Sequence, residues 1–253
     1  MAALKLKNRT VFLTMHKYQR SWTNSNSGVN LNKKENRLRA AVLGANDGIV
    51  SIAGLVIGVA EAAQSKSAIL TAGLAGIIAG AMSMAVGEYI SVSTQRDTEE
   101  SLLNEEKLDL KNHPKEELDD LVSIYKAEGL DLKTANSVAK ELTKADALAV
   151  HADVDLHIDP KHLTNPWVSM IASASSFIVG SLIPLVAIML PVGDFSVPVT
   201  FGAVVVALAI AGVLSARASG SNIRKSTIRV IVGGMIAMSV TYIIGNIFHT
   251  TGL

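Results

Sequence analysis

Cysteine is absent from the 253 residues, which excludes disulfides, thiolate zinc sites and cysteine nucleophiles. Charge is scarce too: 18% of residues are charged and 49% hydrophobic, where an ordinary soluble domain carries about 25% charge. Residues 1–34 hold no acid and lack the apolar core of a secretory signal, so residues 1–36 read as a basic N-terminal arm. No Glu-x-x-His motif occurs, which removes a ferritin-like di-iron centre. Neither a nucleophile–base pair nor a cofactor loop is visible, so an enzyme with a prosthetic group is not expected.

What is present is apolar sequence in long runs. Five segments, 41–60, 68–93, 167–190, 197–215 and 227–248, are each suited to crossing roughly 30 Å of hydrocarbon, which takes about 20 helical residues. The intervening Lys and Arg alternate. Nine precede the first span, one lies in 61–67, nine in 95–161, none in 191–196, three in 216–226 and none in the tail. By the positive-inside rule the N-terminus and the 95–161 stretch are cytosolic and the C-terminus is external or lumenal. The expected fold is all-α. Spans one and two occupy 37–94, a cytosolic three-helix metal-binding domain 95–162, and the last three spans 163–253.

The formal net charge of +1 hides a segregation. Residues 95–161 contain nine basic and seventeen acidic side chains, a patch suited to cations and not to nucleic acid. Asn112-His113-Pro114 and Glu128-Gly129-Leu130-Asp131 carry breaker and cap chemistry that divides this stretch into three helices. Nothing between Ser93 and Leu110 stops a helix, so the second span is expected to run on into the first of them.

Asp47 lies about seven residues into the first span, roughly 10 Å deep at 1.5 Å per residue. A carboxylate there costs about 3 kcal/mol or more and marks an ion or proton site by default, a structural hydrogen bond across helices being the competing reading. Its face carries Gly44, Ser51, Gly54 and Gly58. On the second span Gly80, Met84, Gly87, Glu88 and Ser91 share a face, and antiparallel packing brings Met84 and Glu88 to the depth of Asp47. Carboxylates alone suit Mg²⁺ or Ca²⁺; the thioether of Met84 favours a softer transition metal. In the acidic stretch Glu106 and Asp109 are three apart, as are Glu117 and Asp120, each pair on one helix face. Folding at Pro114 would set the pairs against each other, with Glu141 available from the third helix as a further oxygen ligand. A solvated charged face is the competing reading. His113, His151, His157 and His162 fit neither pattern and read as ordinary surface histidines. Gly44/Gly48, Gly54/Gly58 and Gly76/Gly80 form three Gly-x-x-x-Gly pairs, which serve dimerisation or packing within one chain.

These residues resemble a known family. The run RLRAAVLGANDGIVS at 37–51 and the run AGAMSMAVGEYISV at 79–92, followed by Gln95-Arg96-Asp97, are similar to the signatures of the vacuolar iron transporter family. The likeness extends through Ile124-Tyr125, Gly129-Leu130, Asp146-Ala147-Leu148 and GGMIAM at 233–238 with Thr241-Tyr242. It covers about residues 35–250, and its surroundings look prokaryotic-like; the membrane is expected to be the cell membrane if the source is prokaryotic, and a vacuolar or other organelle membrane if it is eukaryotic. The resemblance implies a five-helix homodimer in the lipid bilayer. Its members export Fe²⁺, often also Mn²⁺, from the cytosol in exchange for protons. It implies that Asp47 and Met84 line the path and that cytosolic glutamates, here Glu106, Asp109, Glu117, Asp120 and Glu141, capture metal. Two of these are Asp, which reaches less far, and Leu142 and Thr143 follow Glu141 where family members often carry Met. A metal-gated sensor or channel without proton coupling is the alternative function.

Overall fold

A computed structural model describes residues 28–63 and 65–251, with side chains from 38 onward except that of Ala63. Residues 1–27 of the basic arm expected at 1–36 lie outside the described residues, and residues 28–36 belong to the helix that continues into the first span. Among the described residues every regular element is helical: α1 Gly28–Ala63, α2 Lys66–Asn112, α3 Pro114–Ala127, α4 Leu132–Val154, α5 Pro166–Met189, α6 Ser196–Ser219 and α7 Ile223–Thr251, with a 3₁₀ turn at Gly193–Phe195 before α6. Five of these, α1, α2, α5, α6 and α7, are long and apolar enough to cross a membrane.

Helix ends follow local chemistry. Ser65 caps α2 by accepting from the Ala68 amide, and Asn165 caps α5 with Pro166 in the first turn. Leu190 takes an extended conformation after α5, as the residue before Pro191 must. Gly220, at φ +63, closes α6 with the Ser221 amide bonded to the Ala216 carbonyl, a left-handed ending that glycine adopts without penalty.

The expected continuity of the second span holds. Helix α2 has 47 residues, about 70 Å at 1.5 Å each, so it overshoots the hydrocarbon by more than half its length. Its polar end meets α3 and α4. The break at 112–114 places Pro114 at the start of α3, and Gly129, at φ +107, turns the chain so that the Leu130 amide bonds the Tyr125 carbonyl. Asp131 then caps α4, accepting from the Lys133 and Thr134 amides at 3.0 and 3.1 Å. Leu121, Val122, Ala135 and Ala139 form the small apolar core between α3 and α4.

Helix α1 is the axis of the membrane bundle. One side packs Ile52 and Val56 with Ile77 of α2 and Phe177, Leu185 and Ile188 of α5. The other packs Ile49, Ala53 and Ile57 with Val204 and Leu208 of α6 and Met238 of α7. In lipid this association rests on close packing, since tails are as apolar as Leu. The three Gly-x-x-x-Gly pairs supply it inside the chain. A Cβ on Gly44 or Gly48 would strike the α5 backbone at Ser173 or Phe177; Gly54 and Gly58 face Thr241 of α7; Gly76 faces Ile52 and Leu55, and Gly80 faces the Phe177 ring. These pairs are therefore spent on folding one chain. Outward, Ile78, Val179, Ile171, Val206 and Ile236 are all at least 60% exposed, a lipid-facing belt.

Candidate metal centre

Three helices beyond the spans each deliver one side chain to a common point. Glu106 of α2, Glu117 of α3 and His151 of α4 are 8%, 5% and 2% exposed. One ligand atom from each lies within 4.8 Å of the others. His151 Nδ1 sits 3.0 Å from Glu106 Oε1 and 3.8 Å from Glu117 Oε2. Glu106 Oε1 pairs with His151 Nδ1, whereas His151 Nε2 is buried without a hydrogen-bond partner among the described residues. The three side chains together form a donor set that could hold a metal ion. Burial by itself would push the His151 imidazole down, but its contact with Glu106 and the charges of Glu106, Glu117 and Asp155 outweigh that and hold it above its ordinary value. When protonated, His151 offsets one of the two carboxylate charges.

His151 corrects the sequence reading, which left it on the surface. The signal was present: Leu148 three residues before and Val154 three after place it on an apolar stripe. What obscured it is a break inside α4. Asp146 is non-helical and its carboxylate caps the Ala149 amide at 3.0 Å, restarting the helix. A helical spacing carried across Asp146 therefore fails at His151. Glu141, before the break, is exposed and is not brought to the cluster. Asp109 is half-buried and Asp120 exposed, each one turn from its glutamate and outside the 4.8 Å group. His113, His157 and His162 are exposed, as expected.

Within the membrane, Asp47 is half-buried and its Oδ1 accepts a 2.8 Å hydrogen bond from Ser51. Ser51 and Leu55, the next steps of four along α1, are exposed. This face is thus exposed at Ser51 and borders α2 at Leu55, which packs against Gly76. Met84 is partly buried against the cluster of Ile77, Ala81 and Phe177. Glu88, one turn on, has a buried Oε1 without a hydrogen-bond partner, and Asn46 Oδ1 and Ser173 Oγ share that condition. Helices α1 and α2 touch directly where Ile52, Leu55 and Val56 meet Gly73 and Gly76. At the level of Asp47 and Met84, Phe177 fills the space between Gly48 and Gly80. Near the other end of α1, Glu61 accepts a 2.9 Å hydrogen bond from Asn246 of α7; sequence reading had left Glu61 in a loop, because it ended the span at residue 60.

Comparison with known proteins agrees with this architecture. A sequence model of the VIT family matches residues 38–246. A protein called vacuolar iron transporter from Acanthamoeba castellanii is 38% identical over 217 residues, 85% of this chain and 80% of its own length. Vacuolar iron transporter homolog 1 of Oryza sativa subsp. japonica is 34% identical over 89% of this chain and 80% of its own. Vacuolar iron transporter homolog 2.1 of Arabidopsis thaliana is 33% identical over 81% and 78%. With five membrane-crossing helices and relatives that are transporters and not enzymes, the chain belongs to the VIT family of multi-pass membrane proteins.

Proposed function

We propose that this protein exports a divalent transition metal, Fe²⁺ first and Mn²⁺ or a related ion second, from the cytosol in exchange for protons, and that it works as a homodimer. The observation that carries the reading is the buried Glu106–Glu117–His151 cluster. One nitrogen and two carboxylates suit Fe²⁺, Mn²⁺ or Zn²⁺ better than Mg²⁺ or Ca²⁺, which prefer oxygen alone. The names of the relatives make iron the first candidate. Residues 95–162 act as the cytosolic capture domain, on the side that the basic loops assign to the cytosol.

Metal passes from this cluster toward Glu88, Met84 and Asp47. Glu88 holds a buried, unpartnered oxygen, which in a low-dielectric site needs a proton or a cation. Asp47 and Ser51 open outward from α1, and a carboxylate facing lipid is costly. A second copy apposed on this face would cover it and bring two Asp47 carboxylates to one axis. A protonated His151 must release its proton to ligate metal, so a cation and a proton exclude each other at this cluster, which is a physical basis for exchange.

Flux of Fe²⁺ into proteoliposomes under an imposed pH gradient tests the reading. Asp47→Asn keeps shape and an oxygen donor but cannot ionise, so transport is lost while insertion persists. Met84→Leu alters preference among metals more than total flux, because it deletes only the soft ligand. Wild-type flux in Asp47→Asn overturns the pathway. Metal flux that leaves the pH gradient intact turns the protein into a channel or sensor instead.

A further inference from the structure

At the end of the bundle that carries α3 and α4, a groove of about 620 Å³ runs between the start of α1, the end of α6 and the start of α7. Leu38, Val42, Ala211 and Val230 give it apolar walls, and Arg39 stands at its mouth. Ser215 and Ser219 of α6 line it too, and among the described residues none of those lining it is acidic. Asn46, also lining the groove, has a buried side-chain oxygen with no hydrogen-bond partner. Asn46 is two turns from Arg39 along α1, roughly 10 Å deeper at 1.5 Å per residue.

We infer that this groove is a binding site for an anionic phospholipid of the adjoining leaflet, its phosphate on Arg39 and one acyl chain along Leu38, Val42 and Val230. The charge arrangement selects the occupant. A guanidinium presents a fork of donors matched to phosphate oxygens, and basic pockets between spans on this side of a membrane are suited to anionic head groups. Apolar walls fit hydrocarbon, and Arg39 with the Ser215 and Ser219 hydroxyls offers donors to the phosphate. Asn46 lies at the depth where ester groups replace phosphate. A half-turn of its amide, which exchanges nitrogen and oxygen at no cost in shape, offers the ester carbonyl a donor. Arg217, Arg224, Lys225 and Arg229 cluster near the same end and add a diffuse positive field, but none of them lines the groove.

The test is native mass spectrometry of the full chain in mild detergent with equal amounts of dioleoylphosphatidylglycerol and dioleoylphosphatidylcholine. The protein retains the glycerol lipid preferentially. Arg39→Gln weakens that retention by about tenfold, the worth of one charge-assisted contact, whereas Arg39→Lys keeps part of it and Arg224→Gln keeps all of it. Val42→Trp fills the apolar floor and lowers retention of both lipids, which checks the site by a variant that leaves the charge alone. Equal losses from Arg39→Gln and Arg224→Gln overturn the proposal in favour of the diffuse field. Competition by inorganic phosphate as strong as by the lipid removes the acyl contribution and overturns it too. A change in copy number on Val42→Trp, with lipid count unaltered, means a second chain fills the groove, and the proposal fails.

Discussion

Replacing His151 by Leu removes the nitrogen donor yet keeps an apolar side chain of similar bulk at a position 2% exposed. Two separate effects follow. Without metal, protonated His151 faces Glu106 at 3.0 Å and Glu117 at 3.8 Å, worth about 5 and about 4 kcal/mol at an effective dielectric near 20. Desolvation offsets much of this, so the net loss is about 3 kcal/mol, the low end for breaking a buried pair. Hydrogen–deuterium exchange reads that loss as faster exchange across α3 and α4. With metal, the variant loses a ligand outright. Disturbing only an outer-sphere partner typically costs 10–100-fold in affinity, so the loss here is about 100-fold or more. Calorimetry of the purified chain with Mn²⁺ or anaerobic Fe²⁺ measures it. Glu141→Ala is the control, because Glu141 is exposed and outside the cluster, and its affinity stays at the wild-type value. Unchanged binding in His151→Leu, or lost binding in Glu141→Ala, refutes the assignment of the third helix's ligand.

Three further outcomes are expected. The folded-state value of His151 is raised above its ordinary value of 6.5, so its contribution to the metal-free protein is complete below about pH 6.5 and is lost as pH rises through the raised value. Exchange rates in α4, corrected for intrinsic chemistry, should show that step, and His151→Leu should lack it. A reporter inserted near Lys126 should read cytosolic and one fused after Leu253 external; the same side for both would break the five-span topology. The chain has no cysteine, so Ser51→Cys reads cleanly: an oxidant should cross-link two copies if the Asp47 face is their interface, and a wholly monomeric product argues for lipid on that face.

Much of the fold was legible because hydrocarbon thickness acts on sequence directly. Apolar runs of spanning length predict α1, α2, α5, α6 and α7 without knowledge of what they touch, and cap chemistry at Asp131 and the Pro114 break predicts α3 and α4. Glu106 and Glu117 were legible for the same local reason, as acids on one face at helical spacing. The third member of the cluster, His151, was legible only as part of the Leu148–Val154 apolar stripe. Helical periodicity holds only while the helix is unbroken, and Asp146 resets it, so tertiary structure alone exchanged Glu141 for His151. The glycine pairs carried a similar ambiguity. Sequence shows that a backbone can approach at Gly44 and Gly48, but only the packed bundle shows that α5 of the same chain does so. Local pattern thus determined which segments are helices and where acid is concentrated. Which side chains converge depends on helix rotation and crossing, and these are set jointly by all the packed surfaces at once.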